Sequence, residues 1–541
     1  MPIASALTAN SHEAVSGRRG AGMVTSPHPL ASAAGAAVLA DGGTAAEAAI
    51  AMAATIAVVY PHFCGLGGDS VWLLADRAGR QETFLGIGQA AQNLPDFTGD
   101  AIPTRGPLSM LTTAATVDAW DAVHRYSKEA WGGRTAFGDL LQDAIGHAKG
   151  GFPISRSQGF WLDMRKDMVA DWPSFSKLFF KDGKPLDAGD MFYQPDLATV
   201  LETLASQGAR SFYEGPLARR IAEGLRAAGS PLTADDLAAT HTRRVAPARL
   251  AYRGYELLAP PPPTQGITTL TIMGILAHFD LHSYAPGSAD HLHLTVEAVK
   301  QAFLTRHRIA DPEFTAQAID DWLTPEALRQ AADAIDSGKA LPWPQPYRTG
   351  DTVFFGAVDA EGRCVSTLQS TYFDWGSGVV VGDTGMLWQN RGAAFSLDPD
   401  SPNCLKPGKR PFYTLNPGIA LKDGMPALVY GTQGADGQPQ TLSMLLTRLI
   451  DYHQSPSEAL AGPRFLLGKT FSDSRDSLKI EGDCGDEVLS RLAALGHELS
   501  SIPPQSPIAG QAGVITIAQD GNLSGAHDPR GEGVALAVNA R

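Results

Sequence analysis

The sequence has little of several features that mark common classes of protein. Charged residues make up only 18%, and the 43 lysines and arginines are outnumbered by 57 aspartates and glutamates, which gives a net charge of -14. A nucleic-acid partner is therefore not expected, because binding phosphates needs a basic surface. The most apolar run, at 48–60, is far shorter than the roughly 20 residues that a helix needs to cross a bilayer. We expect no membrane partner and a small-molecule substrate.

Cysteine is also scarce, with only four residues. None of them forms a CxxC pair or lies near a histidine cluster, which predicts reduced, buried thiols rather than a disulfide framework or a zinc site. The first twenty residues lack the basic start and apolar run of an export signal, so we expect a cytoplasmic location. The four are Cys64, Cys364, Cys404 and Cys484.

Motifs of other chemistries are missing as well. There is no GxGxxG or GxxxxGK[ST], so the glycines at 65–68 predict a tight turn before a strand rather than a phosphate site. No GxSxG elbow of a serine hydrolase occurs. His293 and Glu297, one helical turn apart and near His291, suggest a metal site, but no third ligand is evident. A helix that is either solvated or satisfied by hydrogen bonds in the core is favoured instead. We expect neither a metal nor a cofactor.

What is present is a globular composition, 44% hydrophobic, long enough for a large core. Two helices are predicted within 26–60. The first begins after Pro27, and the second is capped by Thr44 and Glu47, which have the spacing of a capping box. The middle of the chain is mostly helical by periodicity, and from Thr352 onward short strand-like runs alternate with Asp-Gly turns.

The residues after Thr352 predict a β-hairpin. Two strand-like segments flank a three-residue connection that ends in Gly362, which suits a type I turn followed by a bulge. If Asp359 and Arg363 close the turn, Thr352 lies opposite Ser370 to within one residue. Facing positions on one sheet surface bring Cβ atoms within about 5 Å, so the two hydroxyl groups can form a hydrogen bond.

A threonine hydroxyl needs a base before it can act as a nucleophile. If the chain were cut before Thr352, the new α-amine could take the hydroxyl proton at neutral pH, because its pKa is roughly 7.7 to 8.0 in model peptides. The alternative is that Thr352 simply begins a strand, where threonine is common. The hairpin alone favours this second interpretation.

Seven segments that are distant in the sequence favour the nucleophile instead. They are GMVTSPHPLASAAGAAVLADGGTAAEAAIA, PHFCGLGGD, a rigid loop PPPPTQG, GDTVFFGAVDAEG, GSGVVV, LKPGKRP and GTQGADGQPQ. With these blocks the chain resembles the γ-glutamyltranspeptidase family of N-terminal-nucleophile hydrolases along nearly its whole length. The resemblance implies an α+β fold, a four-layer αββα sandwich, made as a precursor that cuts itself between Asp351 and Thr352. Residues 1–351 would form a large chain and 352–541 a small one, intertwined in one globular unit. Further association of the pair stays open.

The resemblance also implies roles for individual residues. Thr352 matches the family nucleophile, and Ser370 falls where the family has the threonine that forms a hydrogen bond to it. The segment GTQGADG matches the paired glycines of the oxyanion hole, with Gly434 and Ala435 at the donor positions. Backbone N–H groups do this work, so alanine is acceptable there provided that its φ and ψ suit it.

Several departures concern the substrate. The family arginine that holds the glutamyl α-carboxylate has no counterpart in GQAAQNLPDF at 88–97. The family's α-amino contacts fall at Tyr372 and Ala394, and its paired serines fall at Tyr413 and Thr414. Losing several buried polar contacts weakens recognition strongly. We therefore expect retained catalytic machinery with a replaced glutamyl pocket.

The segments GDTV, QNRGAAFS and IPTRGP are similar to a branch of the family that contains oxamate amidohydrolases and cephalosporin-type acylases. Arg391 is the first candidate to bind a substrate carboxylate and Arg105 the second, although either could instead form a structural ion pair. The expected activity is hydrolysis of a small amide through an acyl-enzyme. Two alternatives remain: a γ-glutamyl hydrolase or transpeptidase acting on glutathione-type amides, and an uncleaved homologue that binds without catalysis.

Overall fold

The computed structural model describes residues 14–18, 20–169, 172–316, 319–343, 351–469 and 475–539. Two seven-stranded antiparallel sheets form its centre. In sheet A the strands follow the order Val534–Val538, Gly22–Ser26, Asp351–Val358, Cys364–Tyr372, Asp69–Ala75, Gln81–Gly86 and Arg243–Val245. In sheet B the order is Val15–Gly17, Leu523–His527, Ala512–Ile517, Met425–Thr432, Gly418–Lys422, Tyr255–Ala259 and Ala248–Tyr252.

The two sheets pack face to face through a small apolar layer. Side chains of sheet A such as Met23, Leu73 and Val358 contact side chains of sheet B such as Ile419 and Ile515, and all five are fully buried. Strands whose two faces are both covered contain apolar residues at successive positions, because each face must be removed from water. This explains why Asp69–Ala75 is buried along its whole length.

The outer face of sheet A is covered by a first layer of helices. The helix Ala45–Val59 is buried at every position, as its apolar sequence predicts, and Thr44 and Glu47 form the predicted capping box. The preceding helix starts later than expected: His28 caps it and Pro29, not Pro27, occupies the first turn. The helices of this layer are Pro29–Ala40, Ala45–Val59, Thr116–Trp131, Gln142–Gly150, Arg156–Val169, Pro173–Phe179, Pro195–Gln207, Gly215–Ala228 and Ala234–Ala238.

A second layer of helices covers the outer face of sheet B. Its core combines helix residues such as Leu270 and Val296 with strand residues such as Leu257 and Val514. The helices are Gly266–Leu276, Ala289–Arg306, Ile319–Trp322, Pro325–Asp333, Gln438–Leu446, Pro456–Ala461 and Asp486–Ala494. Smaller sheets at the periphery comprise Phe465–Gly468 with Ser477–Glu481 and Leu499–Ile502, Phe152–Pro153 with Met191–Phe192, and Phe180–Lys181 with Lys184–Pro185.

The order of layers is therefore helix, sheet, sheet, helix, and the predicted αββα sandwich is confirmed. Both sheets draw strands from before and after Thr352. In sheet A the strand Gly22–Ser26 lies between Val534–Val538 and Asp351–Val358. Among the described residues, no helix has the length and apolar character needed to cross a membrane.

Candidate active site

The predicted hairpin is present. The Asp359 N–H donates to the Arg363 carbonyl at 3.0 Å, and the Gly362 N–H donates to the Asp359 carbonyl at 2.9 Å. Gly362 has a φ of 77°, which explains the glycine at the bulge position of this turn. Local hydrogen bonding in the turn therefore sets the register of the two central strands of sheet A, Asp351–Val358 and Cys364–Tyr372.

Thr352 and Ser370 meet as the register predicts. The Thr352 Oγ1 donates to the Ser370 Oγ at 3.4 Å, and both residues are fully buried. The ladder shifts by one residue between Asp351 and Val353, so Asp351 pairs with Tyr372. This irregularity lies at the peptide bond that the resemblance marks for cleavage.

Two close contacts hold Ser370 in place. The Tyr372 N–H donates to the Ser370 Oγ at 2.8 Å, so this oxygen links the threonine to the next pocket residue. On the other side, Gly68 lies so near the Ser370 carbonyl that a Cβ at residue 68 would collide with it. The glycine-rich turn at 65–68 thus permits close approach of two backbones, as expected for a tight turn rather than a phosphate site.

The segment matched to the oxyanion hole forms a tight turn after the strand Met425–Thr432. Gly434 has a φ of 113° and Ala435 a φ of 45°, so the alanine adopts the left-handed conformation. Ala435 is the first residue of a 3₁₀ turn, where the N–H has no partner within the turn and can point at a ligand. The two residues are thus suited to presenting N–H groups, but Ala435 is strained.

Gln265 of the proline-rich loop supports this turn, a role that the sequence did not reveal. Its Nε2 donates to the Ala435 carbonyl at 2.6 Å and to the Thr414 carbonyl at 2.8 Å. Arg306 is a second support, since its Nη1 donates to the Asp436 Oδ1 at 2.6 Å. Gln265 belongs to the block PPPPTQG, which is part of the resemblance. Its contacts could not be predicted, because they join residues that are distant in sequence.

Arg391 contacts Tyr372 and Tyr413, two of the residues expected to replace the glutamyl contacts. Its guanidinium carbon lies 3.9 Å from the centroid of the Tyr372 ring and 3.8 Å from that of Tyr413. The side chain is fully buried, and none of its three nitrogens has a hydrogen-bond partner among the described residues. The structural ion pair that was the alternative for Arg391 is therefore not found in the described part of the chain. Tyr372 and Tyr413, at two positions that differ from the family pattern, therefore contact the guanidinium with their rings.

Asp69 lies next to Tyr413 and accepts several hydrogen bonds. It accepts a hydrogen bond from the Tyr413 hydroxyl and further ones from the N–H groups of Gly88 and Ala115, at 3.0 and 2.8 Å. Burial raises the pKa of Asp69 to about 6, and the hydrogen bonds together with the charge of Arg391 only partly oppose this shift. Asp69 was not singled out from the sequence, although it follows directly on the glycine-rich turn.

Arg105 and Thr414 lie nearby with different surroundings. Arg105 donates to the backbone carbonyls of Asp374 and Gly376 and forms an ion pair with the Asp374 carboxylate at 3.2 Å. These contacts match the structural ion pair that was its alternative, and we leave Arg105 out of the proposed substrate site. The Thr414 hydroxyl is buried without a hydrogen-bond partner among the described residues, close to the Gln265 contact.

The suspected metal ligands form a hydrogen-bonded network. His293 and Glu297 meet His497, a third residue that sequence spacing could not reveal, whereas His291 is not part of the group. The His293 Nδ1 lies 2.8 Å from the His497 Nε2, and Glu297 forms an ion pair with Lys300 at 2.7 Å. Burial, and next the charge of Lys300, lower the pKa of His497 to about 3. The third ligand that the sequence did not show is therefore present, although all three side chains already have hydrogen-bond or ion-pair partners within the protein.

Comparisons with known proteins agree with this geometry. The model of the family described as Gamma-glutamyltranspeptidase matches residues 31–538. The chain is 44% identical over 519 residues to the oxamate amidohydrolase proenzyme of Klebsiella pneumoniae, which covers 95% of this chain and 98% of that one. It is 39% identical over 521 residues to the glutathione hydrolase-like YwrD proenzyme of Bacillus subtilis, with the same coverage of 95% and 98%. A cephalosporin acylase structure from Bacillus halodurans superposes with a TM-score of 0.90 at 28% identity, over 98% of both chains.

The sandwich and these similarities together show an amide hydrolase of the N-terminal-nucleophile class, made as a proenzyme that processes itself. Within that class, the chain belongs to the γ-glutamyltranspeptidase family. This assignment argues against the alternative of a homologue that only binds.

Proposed function

We propose that the enzyme hydrolyses small amides that carry a carboxylate beside the scissile carbonyl, of which oxamate is the simplest. The observation that carries this proposal is the buried guanidinium of Arg391, which has no hydrogen-bond partner among the described residues. A buried guanidinium whose N–H groups have no acceptor is costly, and a carboxylate offers two acceptors in a matching geometry. The similarity to an oxamate amidohydrolase supports the same substrate.

The two tyrosines make the recognition directional. Because the rings of Tyr372 and Tyr413 both contact the guanidinium of Arg391, a carboxylate that reaches this residue would have to approach its N–H groups in the guanidinium plane. In-plane approach gives the bidentate pairing that is strongest between arginine and a carboxylate. The Thr414 hydroxyl, buried beside them, can donate one further hydrogen bond to such a ligand.

The same residues argue against a γ-glutamyl substrate. A glutamyl donor brings an α-amino group, which needs acceptors in the pocket. Tyr372 and Ala394 occupy the positions of the family's amino contacts, and they line the cavity with a ring and a methyl group. A cation placed there would also lie near the guanidinium of Arg391. These features favour oxamate-like amides over glutathione.

We also propose that cleavage occurs between Asp351 and Thr352 and that Thr352 is the nucleophile. The freed α-amine takes the proton of the Thr352 hydroxyl, whose oxygen attacks the amide carbonyl. The N–H groups of Gly434 and Ala435 stabilise the negative oxygen that develops. The Ser370 hydroxyl, 3.4 Å from the Thr352 Oγ1, orients the nucleophile.

The remaining steps complete the hydrolysis. The protonated α-amine returns its proton to the departing nitrogen, so the carbon–nitrogen bond breaks and ammonia leaves from oxamate. Water then attacks the ester on Thr352, with the same amine as base, and oxalate is released. Precursor cleavage would use the same hydroxyl on the Asp351 carbonyl. We further propose a cytoplasmic location, which the four free cysteines support.

Replacing Arg391 tests the substrate assignment. In Arg391→Gln we expect kcat/KM for oxamate to fall by at least about a hundredfold, because the substrate carboxylate loses its charged partner. Self-cleavage is expected to continue, since it does not involve that carboxylate, and a denaturing gel showing two chains provides this control. Acetamide, which has no carboxylate, should be a poor substrate for both proteins. Hydrolysis of oxamate at the wild-type kcat/KM by Arg391→Gln would refute the assignment.

A further inference from the structure

A cavity of about 580 Å³ lies next to two of the segments that the proposed function uses. Tyr372, whose ring covers one face of Arg391, forms one side of the cavity, and Asp436, which follows Ala435, forms another. The cavity is therefore adjacent to a side chain that contacts Arg391 and to the turn that contains Gly434 and Ala435.

The cavity is much larger than oxamate requires. The amine that oxamate releases is ammonia, which has a single heavy atom. Cavities of roughly 300 to 1,000 Å³ accommodate ligands of drug size, and this one lies within that range. The volume therefore indicates a substrate with a substantial group on the amide nitrogen.

The walls of the cavity specify the chemistry of that group. Phe303, Trp343 and Phe412 line it, and the ring centroids of Phe303 and Trp343 are 6.4 Å apart. The guanidinium carbon of Arg306 lies 4.4 Å from the Phe303 ring, and its charge is balanced by an ion pair with Asp436 at 2.6 Å. Aromatic walls with a neutralised cation suit a planar, uncharged ring rather than a second anion.

We infer that the enzyme acts on N-aryl oxamates, in which Arg391 holds the carboxylate and the cavity holds the aromatic ring on the amide nitrogen. This inference rests on the proposed function, because the carboxylate must first be bound by Arg391. The acyl carbon–nitrogen bond breaks, and the arylamine leaves with the proton that the α-amine of Thr352 had taken. Water then releases oxalate from the ester, so the products are oxalate and one arylamine.

The inference is tested by assaying the processed wild type and the processed variant Leu304→Trp with oxamate and with N-phenyloxamate. Leu304 lines the cavity and is 39% exposed, so Leu304→Trp can narrow it without entering the core. We expect N-phenyloxamate to have the higher kcat/KM in the wild type. In Leu304→Trp its kcat/KM should fall about tenfold further than that of oxamate. Because aniline leaves more readily than ammonia in any enzyme, this ratio between variant and wild type is the deciding quantity.

Met425→Trp is the matched control. Met425 is also 39% exposed but lines a different surface pocket, so both substrates should keep their wild-type kcat/KM. Hydrolysis of oxamate alone, or an equal fall for both substrates in Leu304→Trp, would overturn the inference and leave the proposed function intact. Turnover of neither substrate by fully processed enzyme would instead refute the proposed function.

Discussion

At the scale of single residues, Ala435 has a backbone conformation that suits glycine better. Its φ of 45° lies in the left-handed region, where a side chain costs roughly 1 to 2 kcal/mol. The sequence made alanine acceptable here provided that its φ and ψ suit it, and the structure shows that it adopts the left-handed conformation at a cost. We expect Ala435→Gly to raise the free energy of unfolding by about 1 kcal/mol.

Urea unfolding of this variant is best measured with Thr352→Ala added, so that every protein compared is a single chain. Ala239 provides the control, because it is exposed and has a φ of -77°. Ala239→Gly should lower the free energy of unfolding, since glycine gains conformational freedom in the unfolded chain. If Ala435→Gly destabilised the protein as much as Ala239→Gly, the strain would not exist.

Asp69 gives the stability of the protein a specific pH dependence. Below pH 3.8 this carboxyl is protonated in both folded and unfolded chains, whereas between 3.8 and about 6 only the folded chain keeps the proton. The folded state then binds more protons, so this contribution to stability falls as pH rises through that window. We expect the wild type to lose stability relative to Asp69→Asn by at most about 1.4 kcal/mol per pH unit there.

The measurement is urea unfolding of both proteins at several pH values from 4 to 7, again with Thr352→Ala present. Taking the difference between the two proteins removes the contributions of the other titrating groups, which both share. Above pH 6 the difference should become constant, because the carboxyl is then ionised in both states. A difference that does not change across the range would show that the pKa of Asp69 is not raised.

At the scale of secondary-structure elements, the proline-rich loop fixes the oxyanion turn through Gln265. Both hydrogen bonds from its Nε2 end on backbone carbonyls, at Thr414 and Ala435. Gln265→Glu would place an acceptor oxygen opposite those two carbonyls, so the turn should move. We expect kcat to fall by about a hundredfold while KM for oxamate changes little, because the loss concerns the transition state.

Steady-state kinetics with oxamate on the processed variant provides the measurement. Gln142 supplies the control, since its Nε2 also donates to a backbone carbonyl, that of Gly138, but on the surface. Gln142→Glu should retain wild-type kinetics. A Gln265→Glu enzyme with unchanged kcat would show that the loop does not position the turn.

Elements held by local interactions could be predicted from the sequence. The Thr44 capping box depends on residues three apart, and the hairpin register depends on a five-residue turn, so neighbouring residues contain the necessary information. The enclosure of Arg391 could not be predicted, because Tyr372 and Tyr413 reach it from distant segments. The left-handed φ of Tyr372 could not be predicted either, since tyrosine rarely adopts this conformation.

At the scale of the whole molecule, the two sheets join the segments before and after Thr352. The four-layer arrangement followed from the resemblance rather than from periodicity, because periodicity does not say which strands pair. The meeting of His293 with His497 across the chain was unpredictable for the same reason. The alternation of early and late strands nevertheless has a consequence that can be measured.

We expect purified wild-type protein to give two chains on a denaturing gel but a single peak on size exclusion, at 57.1 kDa or a multiple of it. The chains should separate only in denaturant, because separation would break strand pairing in both sheets. Thr352→Ala should remain one chain and be inactive. Two chains from Thr352→Ala would refute the role of this residue in cleavage, and native separation of the wild-type chains would refute the interleaving.

The place of Gly22–Ser26 between two strands from the later part of the chain fixes an order of events in time. If the chain is cut before Thr352 as proposed, neither fragment made alone has the neighbours that its strands require, so we expect cleavage to follow folding. Each newly made polypeptide then gains the α-amine of Thr352 once, through an irreversible cleavage. The cell consequently sets the amount of this activity through synthesis and degradation, not by rejoining what has been cut.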